Sequence, residues 1–196
     1  MRGLWLVRGA LLALVVVMLS GCGYNQIQSK DEATKAGWSE VLNQYKRRAD
    51  LIPNLVATVK GYAAHEAQVL TAVTEARAKV SQINVNADDA ASLAQYQAAQ
   101  GELSQALGRL MMVTEAYPDL KANQTMMQLT EELTSTENKV AFARQAFNDS
   151  VMAYNNKREV FPSSIFAGMF NFAAANLLAI PADKLAETRA APKVSF

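Results

Sequence analysis

Cysteine occurs once, at Cys22, and histidine once, at His65. A single thiol excludes an intramolecular disulfide, so stability has to come from packing. The same scarcity argues against a metal centre, which takes three or four ligands, because no second histidine or further cysteine exists to complete one. There is no glycine-rich phosphate loop, and no serine in a nucleophile-elbow context. Surplus charge is missing too. Of 19 Lys and Arg, Arg2 and Arg8 fall in the N-terminal segment, which leaves 17 against 18 Asp and Glu. Such a neutral body lacks the basic excess that nucleic acid demands. Proline is scarce: between Ser29 and Phe161 only Pro53 and Pro118 interrupt a stretch rich in Ala, Leu, Gln, Glu, Lys and Met. That composition predicts helix.

Against these absences stands a well-defined N-terminus. Arg2 and Arg8 are followed by an apolar run from Ala10 to Leu19 and then by Ser20-Gly21-Cys22. This is the order of a secretory signal: charged, apolar, then small residues at a cleavage site. Leu19-Ser20-Gly21-Cys22 resembles the bacterial lipobox, in which a cysteine thiol accepts a diacylglycerol before cleavage just ahead of it. On this reading residues 1–21 are a lipoprotein signal peptide, Cys22 is the lipidation site, and the product is an exported protein anchored in the cell envelope. Gly23 in the following position, where an aspartate would retain the protein at the inner membrane, favours the outer membrane, facing the periplasm, in a Gram-negative cell. The competing reading is an inner-membrane protein held by an uncleaved N-terminal helix. A span takes about 20 apolar residues, and the charge-free stretch Gly9–Leu19 is shorter. Lengthening it back to Gly3 would bury Arg8, at roughly 3 kcal/mol near mid-membrane.

Beyond the signal, apolar residues recur at helical spacing. Trp38, Leu42, Tyr45, Ala49, Ile52, Val56, Val59 and Ala63 alternate steps of four and three, and Val41, Leu55, Tyr62, Val69, Ala76 and Ile83 widen the stripe, with Arg48 interrupting it. The pattern predicts a long helix packed inside a bundle. Ser29-Lys30-Asp31-Glu32 reads as its capping box, and the unbroken phase across Pro53 predicts a kink there instead of an end. Asn84–Asp89 reads as a loop with Asp88 or Asp89 as the next cap. A second helix is expected over Ala90–Ala116, and a third from Leu120 to Val160 with Met126, Leu129, Leu133, Val140, Phe147, Val151 and Tyr154 inside. A shorter apolar fourth is expected over Ile165–Ile180. The fold class is therefore all-α: an up-and-down antiparallel bundle of three long helices plus a shorter fourth. Residues 22–28 would be a tether, 29–180 the bundle domain and 181–196 a flexible tail.

The densest cluster of functional residue types is Arg47-Arg48-Ala49-Asp50-Leu51-Ile52-Pro53-Asn54. Two arginines can hold a phosphate or lipid headgroup. The plainer reading is an Arg–Asp pair on a solvated face beside a proline kink, worth only ~0.5 kcal/mol. Lys60, Tyr62, His65 and Glu66 follow. A His–Glu pair is half of a general-base or metal site, and a hydrolase built on it is the remote enzyme reading. Glu66 falls on the apolar stripe, as a buried polar contact that fixes register or as the place where the stripe meets solvent. Met111-Met112 and Met126-Met127 fit core filling better than a partner groove. Ile165–Ile180, with Phe166, Met169, Phe170 and Phe172, either pads the bundle or lies on a membrane or another protein.

Taken together these segments resemble the LemA family. The resemblance is carried by Trp38 and Val41, by Tyr45–Val56, by Thr58–Glu66, by Tyr117-Pro118-Asp119-Leu120-Lys121-Ala122-Asn123, by Thr136-Glu137-Asn138, by Tyr154-Asn155-Asn156 and by Phe161-Pro162-Ser163. It covers about Gln28 to Phe172. It implies a helical bundle held outside the cytoplasmic membrane by an N-terminal anchor, with no enzymatic activity known for the family and no catalytic residues to carry over; no cofactor is expected. The chain departs from the family where a Gly-Phe and then a Phe-Glu pair usually follow the Phe-Pro-Ser segment; Met169-Phe170-Asn171-Phe172 and an alanine run stand there. Many members also keep a transmembrane N-terminus, whereas this one carries a lipobox.

The function this predicts is a non-enzymatic, lipid-anchored adaptor or scaffold for other envelope proteins, using no metal, no nucleic acid and no small-molecule substrate. Its candidate binding surface is Arg47, Arg48, Asp50, Pro53, Asn54, Lys60, Tyr62, His65 and Glu66. The alternative is a module that binds lipid headgroups at the membrane surface through Arg47, Arg48 and the Ile165–Ile180 segment.

Overall fold

The computed structural model of the protein describes residues 2–179, the side chains of 2–7 and 10–22 excepted. The described residues form six helices and no strand: α1 (Arg2–Tyr62), α2 (Ala67–Gln82), α3 (Ala90–Ala116), α4 (Pro118–Lys121), α5 (Gln124–Glu159) and α6 (Ser163–Met169). The all-helical bundle class expected from the sequence is what the chain adopts. The tail at 181–196 and the thiol of Cys22 lie outside the described residues.

Several boundaries differ from the periodicity. The helix does not begin at Ser29, which lies inside α1, and residues 22–28 are helical. Nor does one kinked helix reach Ile83. Pro53 sits within α1, and the break comes at Ala63–Glu66, where Ala63 N still donates to Val59 O (2.8 Å) and Glu66 N turns back to Ala63 O (3.1 Å). The third helix is two: Tyr117 and Pro118 open the single turn of α4, proline at the first helical position having no N–H to waste. Asn123 then starts α5, its side-chain oxygen accepting from Met126 N at 3.0 Å. The apolar fourth helix is shorter than expected, α6 ending at Met169 with 172–179 irregular. The cap of α3 is Asp89, whose carboxylate accepts from Ala91 N (3.0 Å) and Ser92 N (3.2 Å).

The chain divides into two compact units whose boundaries fall within α1 and α5. The first comprises residues up to Val41 with Ala143–Leu177. Here α1 and α5 run antiparallel, since Gly37 meets Phe147 while Ile27 clusters with Tyr154 and with Ala167 of α6. A Cβ on Gly37 would lie 3.4 Å from the Phe147 Cα, so glycine is what lets the two helices approach closely. The Trp38 and Phe147 rings meet at 5.5 Å. The second unit comprises Leu42–Phe142 with Leu178 and Ala179. Its core holds Ile52, Leu55 and Val59 of α1, Leu93, Leu103 and Leu110 of α3, and Met126 of α5, all essentially inaccessible to water.

Candidate functional site

Arg48 is 2% exposed. It occupies the place on the apolar stripe where a charge looked like an interruption, and it is buried there along with the stripe's apolar members. One guanidinium nitrogen donates to Ser104 Oγ (3.0 Å) and to both carboxylate oxygens of Glu137 (2.9 and 3.2 Å). The other donates to the Gln100 carbonyl (3.3 Å) and to its side-chain oxygen. The guanidinium also lies 5.4 Å from the centre of the Tyr45 ring, close enough for a cation–π contact. Arg48 Nε is buried without a partner, a cost that the charge-assisted bonds on the other nitrogens offset. A helical Arg–Asp pair is thus not what forms: Asp50 takes Lys46 (2.6 Å), while Arg48 reaches across to α3 and α5. Arg47 points outward to Glu132 at 3.1 Å. Arg48 therefore offers nothing to a headgroup.

Pro53 has a second consequence. Lacking an N–H, it leaves the carbonyl four residues earlier, that of Ala49, without its helical donor. Arg77 of α2 supplies one, its Nε donating to Ala49 O at 2.9 Å. The proline thus creates the acceptor by which α2 is clasped to α1.

The turn that ends α1 is held in the same way. Asn123 Nδ2 donates to the Tyr62 hydroxyl (2.8 Å), and the Tyr117 hydroxyl donates to Glu66 Oε1 (3.2 Å). That bond, followed by desolvation and the carboxylate's charge, pushes the Tyr117 phenol above its ordinary value of 10.0. His65 is exposed beside them. Burial raises the Tyr96 phenol likewise, with the Gln100 bond acting against it. In the first unit, Tyr154 OH donates to Ala173 O (2.8 Å), Arg158 Nε to Phe172 O (2.9 Å), and Asn155 exchanges two 3.0 Å bonds with the backbone of Ala175. These bonds satisfy backbone groups of the irregular segment after α6, which has no helical partners of its own.

Arg48, Arg77, Tyr117 and Asn123 thus bond to groups distant in the chain. What they build is a frame. The exposed remainder of the sequence-derived surface is Arg47, Asp50, Pro53, Asn54, Lys60, Tyr62 and His65, along the outer side of α1 and its terminal turn, whereas Arg48 is inside and Glu66 half-buried. Among the described residues no group of three His, Cys, Asp or Glu is placed to hold a metal, and no helix is long and apolar enough to cross a membrane. The roles of Arg77, Gln100 and Ser104 were invisible in the sequence, although the missing N–H of Pro53 marks Ala49 as an acceptor in need of a donor.

A sequence model of the LemA family matches residues 37–196. The chain is 26% identical to Protein LemA of Metamycoplasma hominis over 137 residues, which is 70% of this chain and 57% of that protein. It is 25% identical over 168 residues to Magnetosome protein MamQ 2 of Paramagnetospirillum magneticum, covering 76% and 62% respectively. Against Magnetosome protein MamQ of Magnetospirillum gryphiswaldense it is 24% identical over 165 residues, covering 74% and 60%. The chain therefore spans about three fifths of the length of these curated relatives.

Proposed function

The chain belongs to the LemA family, and from that premise we propose that it is a non-enzymatic scaffold tethered to the bacterial cell envelope through diacylglycerol on Cys22. The observation that carries the reading is the fate of the polar residues. Arg48 and Glu137, Tyr117 and Glu66, and Asn123 and Tyr62 are engaged in bonds that tie distant parts of the chain together, and of the His65–Glu66 pair Glu66 is held by Tyr117. What remains for a partner is the exposed side of α1, a polar and nearly neutral face of the kind transient protein contacts use. The MamQ relatives are named for a cellular structure and not for a reaction, which supports the same reading. The partners are other envelope proteins.

The test is crosslinking from native membranes, with a photoreactive residue in place of Asn54 and, separately, of His65. The proposal expects a discrete protein adduct from either position. Recovery of the monomer alone under gentle detergent would overturn it. The hydrolase alternative is tested by His65→Ala combined with Glu66→Ala: a change confined to stability removes it.

A further inference from the structure

From Val160 to Ile180 the chain contains no charged residue, and within 160–170 the structure leaves several large apolar side chains exposed. Phe161 is 80% exposed, Met169 69%, Ile165 54% and Phe170 54%. Singly exposed apolar side chains are ordinary, but four large ones within ten residues form a patch of the kind that marks an interaction surface. The patch has inward anchors. Ala167 is buried with Ile27 and Tyr154, and Phe166 packs against the same cluster. An ideal Cβ at Gly23 would lie 2.8 Å from the Phe166 ring, so the ring rests directly on the α1 backbone at that glycine. The Tyr24 ring meets Phe170 at 4.9 Å, edge to face.

That location sets the occupant. Gly23 follows Cys22 and the apolar run Ala10–Leu19. Whether the anchor is an acyl chain on Cys22 or an uncleaved helix, residue 22 is where the chain leaves the bilayer. At 1.5 Å per residue, Gly23 and Ile27 stand roughly 2 to 8 Å along the helix from it, within the headgroup layer of a membrane about 40–45 Å thick overall. The returning helix agrees. Moving back along α1 from Gly37 to Ile27 moves the opposing contact forward on α5 from Phe147 to Tyr154, and continuing to Cys22 brings the opposite side to about Glu159–Phe161. We infer that Phe161, Ile165, Met169 and Phe170 seat in the interfacial layer of the membrane that carries the anchor, as a second, non-covalent attachment. The inference rests on the tether reading for the height of residue 22, not on the partner face of α1.

The full-length chain is reconstituted in vesicles of phosphatidylcholine and phosphatidylglycerol that contain a phosphatidylcholine with a diazirine near the glycerol end of one acyl chain. After photolysis, label is mapped on tryptic peptides. The expected result is label on the N-terminal anchor peptide that ends at Lys30 and on Glu159–Lys184, the latter exceeding Ala122–Lys139 roughly tenfold, as insertion of an apolar face requires. Phe161→Ser with Met169→Ser should remove most of the second signal with helix content unchanged, while Phe161→Leu with Met169→Leu keeps it. Label on the N-terminal anchor peptide without label on Glu159–Lys184 overturns the inference and leaves the tether standing. Absence from both overturns the two together.

Discussion

The two units solve the same packing problem with opposite chemistry. In the Leu42–Phe142 unit a cation is placed at the centre, with Arg48 surrounded by the acceptors of Gln100, Ser104 and Glu137. In the unit formed by residues up to Val41 and Ala143–Leu177 the interior is apolar and aromatic, built on Ile27, Phe147, Tyr154 and Ala167, and large apolar groups remain outside. Tyr154, Asn155 and Arg158 there bond the backbone of an irregular segment. A buried ion pair adds little net stability compared with an apolar filling, yet removing one partner is costly because the other charge is stranded. Apolar packing, by contrast, is lost in proportion to the volume removed. The first unit therefore tolerates substitution by shape, and the second by whether its charge stays paired.

Denaturation of the detergent-solubilised chain, followed by circular dichroism, can break or sharpen this contrast. Phe147→Ala, which empties a fully buried site between Gly37 and Trp38, should cost the most, about 4 kcal/mol. Arg48→Ala should follow at about 3 kcal/mol, because Glu137 is 40% exposed and can turn to water. Arg48→Met keeps the volume and should cost roughly half as much; if it costs as much as alanine, the pairing and not the space decides. Arg77→Ala strands the Ala49 carbonyl and should cost about 1 kcal/mol. In a Pro53→Ala background, where the helical donor is restored, the same change should cost less than half of that, and an additive result would refute the clasp.

The smallest effect is a pH dependence. Tyr117 and Tyr96 both titrate above the ordinary value of 10.0, the first mainly because its hydroxyl donates to Glu66 and the second because of burial. A phenol whose folded value is raised contributes its stability below the unfolded value, and loses it as pH climbs through the folded one. Stability should therefore fall above pH 10.0. Tyr117→Phe should make that decline shallower, and an unchanged slope would deny the Tyr117–Glu66 bond.

Much of this arrangement is legible in the residues. The inner stripe of α5, from Met126 to Tyr154, is buried at every position that the spacing marks, because a 3.6-residue period records which side faces the core. Arg48 was conspicuous for the same reason, but its partners lie 52 to 89 residues away, and local pattern carries no such information. The break at Ala63–Glu66 was hidden for a related cause. The apolar phase hardly slips there, and the turn is fixed by Tyr117 and Asn123, on later elements. Ser29 misled because a good cap sequence caps nothing when the helix before it continues.

The reading as a whole depends on how the chain is held. Its most direct test is the intact mass of the protein purified from native membranes. The account predicts a chain that begins at Cys22 and carries diacylglycerol on that thiol. A chain that still begins at Met1, with Cys22 unmodified, would contradict it.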